Sequence, residues 1–228
     1  MNEKMLREMM ENAVHFGHRS QKWNPKMKKF IFTKRDGVHV FDLNKTAANL
    51  EQGLKVITDS VKEGKKVLLV GTKPQVGNLV AETAKKCKMP YVISRWIPGL
   101  LTNFSTIKTR IKYLLDLKNK EESGELEKYT KKEAGKFKKE MEKLENSLGG
   151  VLELKDKPDV LFVLSAKRDM IAIKEANRLN MPIIAICDSD SDPNTVTYPI
   201  PGNDDSIKSI KYFLDRVSDA IESSKTKK

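Results

Sequence analysis

A chain of 228 residues can bury a substantial core, and this one carries 43 lysines and arginines against 31 acids, a formal charge of +12. That excess makes nucleic acid or an anionic surface the first partner to consider, and leaves the fold open. The longest apolar run is about seven residues, far short of the roughly twenty a membrane helix needs, and MNEKMLREMMENA lacks the apolar segment of a secretory signal.

Residues 3 to 14 predict a short amphipathic helix with Leu6, Met9, Met10 and Ala13 on one side. From His15 to Lys45 follow eight lysines and arginines, among them Arg19, Lys22, Lys26, Lys28, Lys29 and Arg35, against two acids. Trp23, Phe30 and Phe32 are interleaved with these charges, and Asn24-Pro25 signals a turn. Phe30–Phe32 and Val38–Phe41 flank Lys34-Arg35-Asp36-Gly37, the pattern of a β-hairpin. Composition alone allows a solvated charged face over a small aromatic core. Charge clustered with a tryptophan and turn residues favours a surface that contacts a phosphate backbone.

Ala47, Leu50, Leu54, Ile57 and Val61 then recur at helical spacing and end at Gly64, a good C-terminal cap. Next come VLLV, the turn GTKPQVG, a helix and YVIS, a βαβ plan. The Gly-rich turn lacks both the P-loop and the dinucleotide fingerprints; Lys73 and the early N–H groups there suit a nucleotide or an RNA phosphate. Arg95 and Trp96 fall at the carboxyl end of a strand, where open α/β sheets place ligands, although Trp96 also suits simple core cover. Thr102 or Asn103 caps the following helix. From 105 to 148 the apolar residues Ile107, Ile111 and Leu114, then Phe137, Met141, Leu144 and Leu148, keep seven-residue registers. This predicts a helical hairpin, with a capping box at Thr130–Glu133 and a return at Gly149-Gly150.

The stretch from Pro158 to Pro193 repeats the βαβ plan and organises the chain. Val160–Leu164 and Ile183–Cys187 are continuous apolar runs, as expected of strands buried on both faces. Between them Ile171, Ala172, Ala176 and Leu179 recur at helical spacing, leaving Lys174, Glu175 and Arg178 for solvent. An amphipathic last helix follows, and SSKTKK is expected to fray. Two such units predict a doubly wound parallel α/β sheet of Rossmann-like type. The expected organisation is a basic arm over 1–45, the α/β body over 46–103 and 150–224, the inserted hairpin over 104–149, and a tail over 225–228.

The chemistry-bearing residues form no catalytic set. All three histidines lie within the first forty residues, so no Ser–His–acid or Cys–His arrangement suggests itself. Asp188, Asp190 and Asp192 begin like a calcium loop, but Pro193 and Pro199 stand where the turn glycine and the bidentate glutamate belong. Capping and turn formation explain Asp188, Asp204 and Asp205 more cheaply than Mg²⁺, and His15 and His18 have no third ligand near them in sequence. The reading is therefore no metal and no cofactor. Cys87 and Cys187 are expected reduced and unpaired, as in a reducing compartment. A sheet with Gly71, Lys73, Ser165 and Lys167 at strand ends still leaves open an enzyme acting on a phosphosugar or nucleotide.

The runs VHFGHRSQKWNPKM, FIF, VGTKPQ, RWIPGLLTN, TKKEA, EKLENSLGG, PDVLFVL, IAIKEAN, SDSDP and IPGNDD resemble the bacterial-type small-subunit ribosomal protein two family. They spread over nearly the whole chain. The resemblance implies a flavodoxin-like sheet with an inserted α-helical coiled-coil hairpin, no catalysis, and binding to ribosomal RNA (rRNA) near the junction of head and body. It implies rRNA contacts at His15, His18, Arg19, Trp23, Asn24, Lys26, Lys28 and Lys29, with Arg95, Trp96, Thr102 and Asn103; Lys22, Arg35 and Lys73 join them on charge. It also implies neighbouring small-subunit proteins as partners, including the large mRNA-binding protein docked by the hairpin. No membrane and no homo-oligomer are expected, and the place of action is a cytoplasmic or organellar ribosome. Pro98, where the family has glycine, and Ser165-Ala-Lys-Arg, where it is more acidic, depart from the pattern.

Overall fold

A computed structural model describes residues 3–225; of the run SSKTKK expected to fray, Ser223, Ser224 and Lys225 belong to the last helix, and 226–228 lie outside the described residues. The centre of the fold is a five-stranded parallel sheet. Its strands are β4 (Val67–Val70), β5 (Tyr91–Val92), β6 (Val160–Val163), β7 (Ile183–Cys187) and β8 (Tyr198–Pro201), in the spatial order β5-β4-β6-β7-β8. Every residue of β4, β6 and β7 is buried, which is why their sequences are unbroken apolar runs. β8 was not anticipated. It holds Pro199 and Pro201, tolerable because the strand forms an edge and pairs only with β7.

Helices cover both faces, as a parallel sheet requires. On one side lie α2 (Leu43–Lys62), α3 (Gly77–Cys87) and α7 (Ile207–Lys225), with Leu50, Ile57, Val80, Phe213, Val217 and Ile221 buried against Leu69, Phe162 and Ile184. On the other lies α6 (Met170–Arg178), joined by the base of α4 (Phe104–Glu122) and α5 (Lys131–Leu148). Their Ile107, Ile111 and Leu148 pack in the same cluster as Leu68, Leu161 and Val163. Farther out, Tyr113 donates to Glu140 (3.2 Å), Lys118 meets Glu145 (2.5 Å), and the Thr130–Glu133 capping box is present. Gly150 returns the chain to the sheet so closely that a Cβ there would sit 2.2 Å from the Tyr91 carbonyl oxygen.

The sequence register of α6 needs correction. Ile171 is 52% exposed, and the buried face is Ala172, Ile173, Glu175 and Ala176, so Glu175 points inward rather than to solvent. The N-terminal helix α1 (Glu3–Glu11) is also shorter than predicted, the chain turning left-handed at Ala13 (φ 57°), and it buries Met9 while Met10 stays exposed. Beyond it β1 (Phe16–Arg19), β2 (Ile31–Arg35) and β3 (Val38–Phe41) form a small antiparallel sheet in the order β1-β3-β2. Asp36 and Gly37, at φ 50° and 77°, make the two-residue turn of the expected hairpin. β1 is an addition to it. Cys87 and Cys187 are free and buried.

Candidate nucleic-acid interface

The arm from His15 to Phe41 turns part of its apolar set inward and its cations outward. Met27, Phe30 and Phe41 are buried and join the core under the sheet. Arg19, Lys22, Lys26, Lys28, Lys29 and Arg35 are exposed. Phe32 is 75% exposed among them, and Trp23, 37% exposed, rests its ring on His39 at 5.1 Å. Asn24 is occupied structurally: its side chain accepts from Lys26 N–H at 3.0 Å, capping a 3-10 turn that begins at Pro25. The His15 ring meets that of Phe16 at 4.0 Å, tilted by 41°, and burial lowers its pKa.

The arm is docked on the loop after β7. Asn24 N–H donates to the Ser189 carbonyl at 2.7 Å and Lys26 pairs with Asp192 at 2.6 Å. His18 N–H donates to the Ser189 hydroxyl at 2.9 Å, and its Nδ1 lies 2.9 Å from Asp188. The hydrogen bond to Asp188 raises the His18 pKa to about 9, burial opposing it and the charges of Asp188, Asp190 and Asp204 adding to it. Asp204 is pushed up to about 6 by burial and by the charge of Asp188, against the pull of Lys73 and Ser165.

His18, Asp188, Asp204 and Asp205 each bring one ligand atom within 4.8 Å of the others. The chain separation hid this, since His18 and Asp188 are 170 residues apart. One imidazole nitrogen with carboxylates is a donor set that suits Zn²⁺ better than an all-oxygen ion such as Mg²⁺. His18 and Lys73 bring positive charge to these carboxylates. Lys73 Nζ sits 2.7 Å from Asp204 and 2.8 Å from Asp205 and is only 14% exposed, so its ammonium is already paired within the chain.

A cleft of about 930 Å³ opens beyond β4 and β6, lined by Lys73, Arg95, Trp96, Ser165, Lys167 and Asp169 among others. At its rim the segment 95–103 folds around the carboxylate of Glu175. Trp96 Nε1 donates to it at 3.0 Å, Gly99 N–H at 2.8 Å, Leu101 N–H at 3.0 Å and Thr102 through both N–H and hydroxyl at 3.2 Å. Trp96 is 5% exposed, so of its two readings the structure favours core cover. Leu100 N–H donates to the Ile97 carbonyl across Pro98-Gly99, with Gly99 at φ 91°, the pattern of a type II turn. Pro98 thus fits the first central position. Arg95, Thr102 and Asn103 are exposed; Asn103 occupies the N-cap of α4, where its side chain accepts from the hydroxyls of Ser105 and Thr106 rather than from backbone.

These features define a class: a Rossmann-like α/β protein whose ligand crevice is crossed by its own ion pairs and whose free cations face outward from an aromatic-bearing arm. Among the described residues no helix is long and apolar enough to cross a membrane. Comparison with known proteins gives the family. Residues 9–224 match the model of the family described as ribosomal protein S2. The chain is 48% identical over 216 residues to the small ribosomal subunit protein uS2 of a Nitratiruptor species, covering 95% of this chain and 81% of that one. Against the protein uS2c of Cyanophora paradoxa the identity is 47% over 223 residues, covering 97% and 96%. For uS2 of Dictyoglomus thermophilum it is 46% over 217 residues, covering 95% and 88%. The chain belongs to the ribosomal protein S2 family, a family of structural proteins and not of enzymes.

Proposed function

We propose that this chain is a structural constituent of the small ribosomal subunit, acting on the ribosome in translation, and that it holds small-subunit rRNA on the outer face of the arm. The observation that carries the contact surface is the row of exposed cations Arg19, Lys22, Lys28 and Lys29, which have no carboxylate partner among the described residues, beside the exposed rings of Trp23 and Phe32. Arg35 adds to it, although Asp36 stands 3.8 Å away. Cations without internal partners release counterions when they meet phosphate, and flat rings accept bases. Arg95, Thr102 and Asn103 form a second patch. His15, His18 and Asn24 hold the arm in place.

In this reading the sheet is flavodoxin-like, its order corresponding to 2-1-3-4-5 when its strands alone are numbered. Residues 46–103 and 150–224 are the body, 1–45 the arm and 104–149 a coiled-coil insert. The insert docks neighbouring small-subunit proteins, including the large mRNA-binding protein, and the chain acts as a single copy. Sedimentation of tagged protein from a lysate tests the assignment: it should travel with small subunits and release at high salt. Recovery solely in low-mass fractions would overturn it.

A further inference from the structure

We propose that Glu175 is the positioning residue that shapes the 95–103 segment and so presents Arg95 and Asn103 to RNA; this rests on the reading just given. Glu175 comes from α6, is 6% exposed, and has no lysine or arginine in ion-pair range among the described residues. Its charge is held only by dipoles: the Trp96 indole, the N–H groups of Gly99, Leu101 and Thr102, and the Thr102 hydroxyl. A carboxylate buried without such donors would be very costly, so the loop and the acid specify each other. Burial alone would raise its pKa, yet the indole and the loop amides together hold it below the usual carboxylate range.

The geometry gives this hub a consequence outside the core. The pinned indole of Trp96 directly follows Arg95, and the doubly bound Thr102 directly precedes Asn103. Peptide N–H groups at three positions turn inward to one point, and the two flanking side chains are left exposed. The Arg95 guanidinium makes no hydrogen bond or ion pair with the described residues, so nothing but the loop's shape directs it. Glu175 need not touch RNA to act.

The test measures binding of an in vitro small-subunit rRNA transcript across a KCl series. Arg95→Ala should flatten the log–log salt slope by about 0.7 to 0.9, one phosphate contact. Glu175→Gln places an amide NH₂ against inward-facing donors, opens the loop, and should flatten the slope by the same amount. The double variant should show no further change, a non-additivity that general destabilisation does not produce. Amide exchange at Gly99 and Leu101 should quicken in Glu175→Gln. If Arg95→Ala leaves the slope unchanged, the second RNA patch is wrong and the inference falls with it. If Arg95→Ala flattens the slope and Glu175→Gln does not, the patch stands and the positioning role is refuted. Should Glu175→Gln fail to fold, Glu175→Asp draws the carboxylate back by one methylene from all of its donors; an unchanged slope in that variant refutes the role equally.

Discussion

Neutralising the free lysines of the arm is the most direct perturbation. Lys22, Lys28 and Lys29 are exposed and have no carboxylate partner among the described residues, so each is free to replace a condensed counterion. Lys26 is different. It lies 2.6 Å from Asp192, and that bond holds the Asp192 carboxyl below its ordinary range. Changing Lys22, Lys28 and Lys29 together to glutamine should therefore lower the salt slope of rRNA binding by about two to three, at 0.7 to 0.9 for each lost phosphate contact. Lys26→Gln should give a smaller change in slope, because its charge already faces an acid, together with a looser arm. The assay is fluorescence anisotropy of labelled rRNA between low and moderate KCl. Thermal melting of the triple variant should stay near the parent value, since exposed lysines contribute little to stability. A triple variant with the original slope and an intact melt refutes the arm as the contact surface.

Lys73→Met should leave the salt slope alone and lower the melt, because it strands the 2%-exposed Asp204 without its cation at a cost of about 3 to 5 kcal/mol; a lost slope unit instead would restore Lys73 as a phosphate ligand. Trp23→Ala should weaken rRNA binding by about 1 to 3 kcal/mol with little change in slope, as loss of a stacking ring does. A fall in melting temperature with affinity intact would assign that ring to the hairpin core against His39. Gly150→Ala should destabilise the body by roughly 3 kcal/mol, since the obstacle is the Tyr91 backbone oxygen and not a mobile side chain; a parent-like denaturation midpoint would show that the chain return is slack. Replacing residues 115–141 by a short linker should keep a cooperative melt, whereas removing 105–148 also deletes buried Ile107, Ile111 and Leu148, at roughly 2 kcal/mol or more each. Equal melts for the two deletions would show that the hairpin base carries no core packing.

What could be read in the sequence followed from how local its cause was. β4, β6 and β7 were legible because strands buried on both faces must be apolar throughout, and each is. β8 hid behind its prolines, which an edge tolerates. β1, the run Phe-Gly-His-Arg, has no strand pattern of its own and exists by pairing with β3. The helix register around Ile171 failed because a glutamate at an inward position looks like a solvent residue until its donors, more than seventy positions away, are seen. The arm's charge was visible at once. The partners that pair with Lys73, and that gather His18 with three aspartates, were not, since they lie 131 and 170 residues off.

The same contacts explain why a Rossmann-like sheet here serves as a binding scaffold. In open α/β sheets the crevice beyond the carboxyl ends of the strands is where a small ligand sits, with backbone N–H groups and a lysine ready for its phosphate. In this chain the lysine after β4 is tied to Asp204 and Asp205, Ser165 after β6 donates to Asp204 at 2.5 Å, and Thr72 donates to Asp169 at 2.6 Å. Those acids would repel a phosphate deep in the crevice. His18 enters from the arm and meets the same acids, so the crevice holds a piece of its own chain. The acidic cluster thus does two things at once. It anchors the arm, and it disfavours an anion in the crevice, leaving Arg19, Lys22, Lys28, Lys29 and Arg95 unneutralised on the rim and the arm's exposed face, the surface proposed for rRNA.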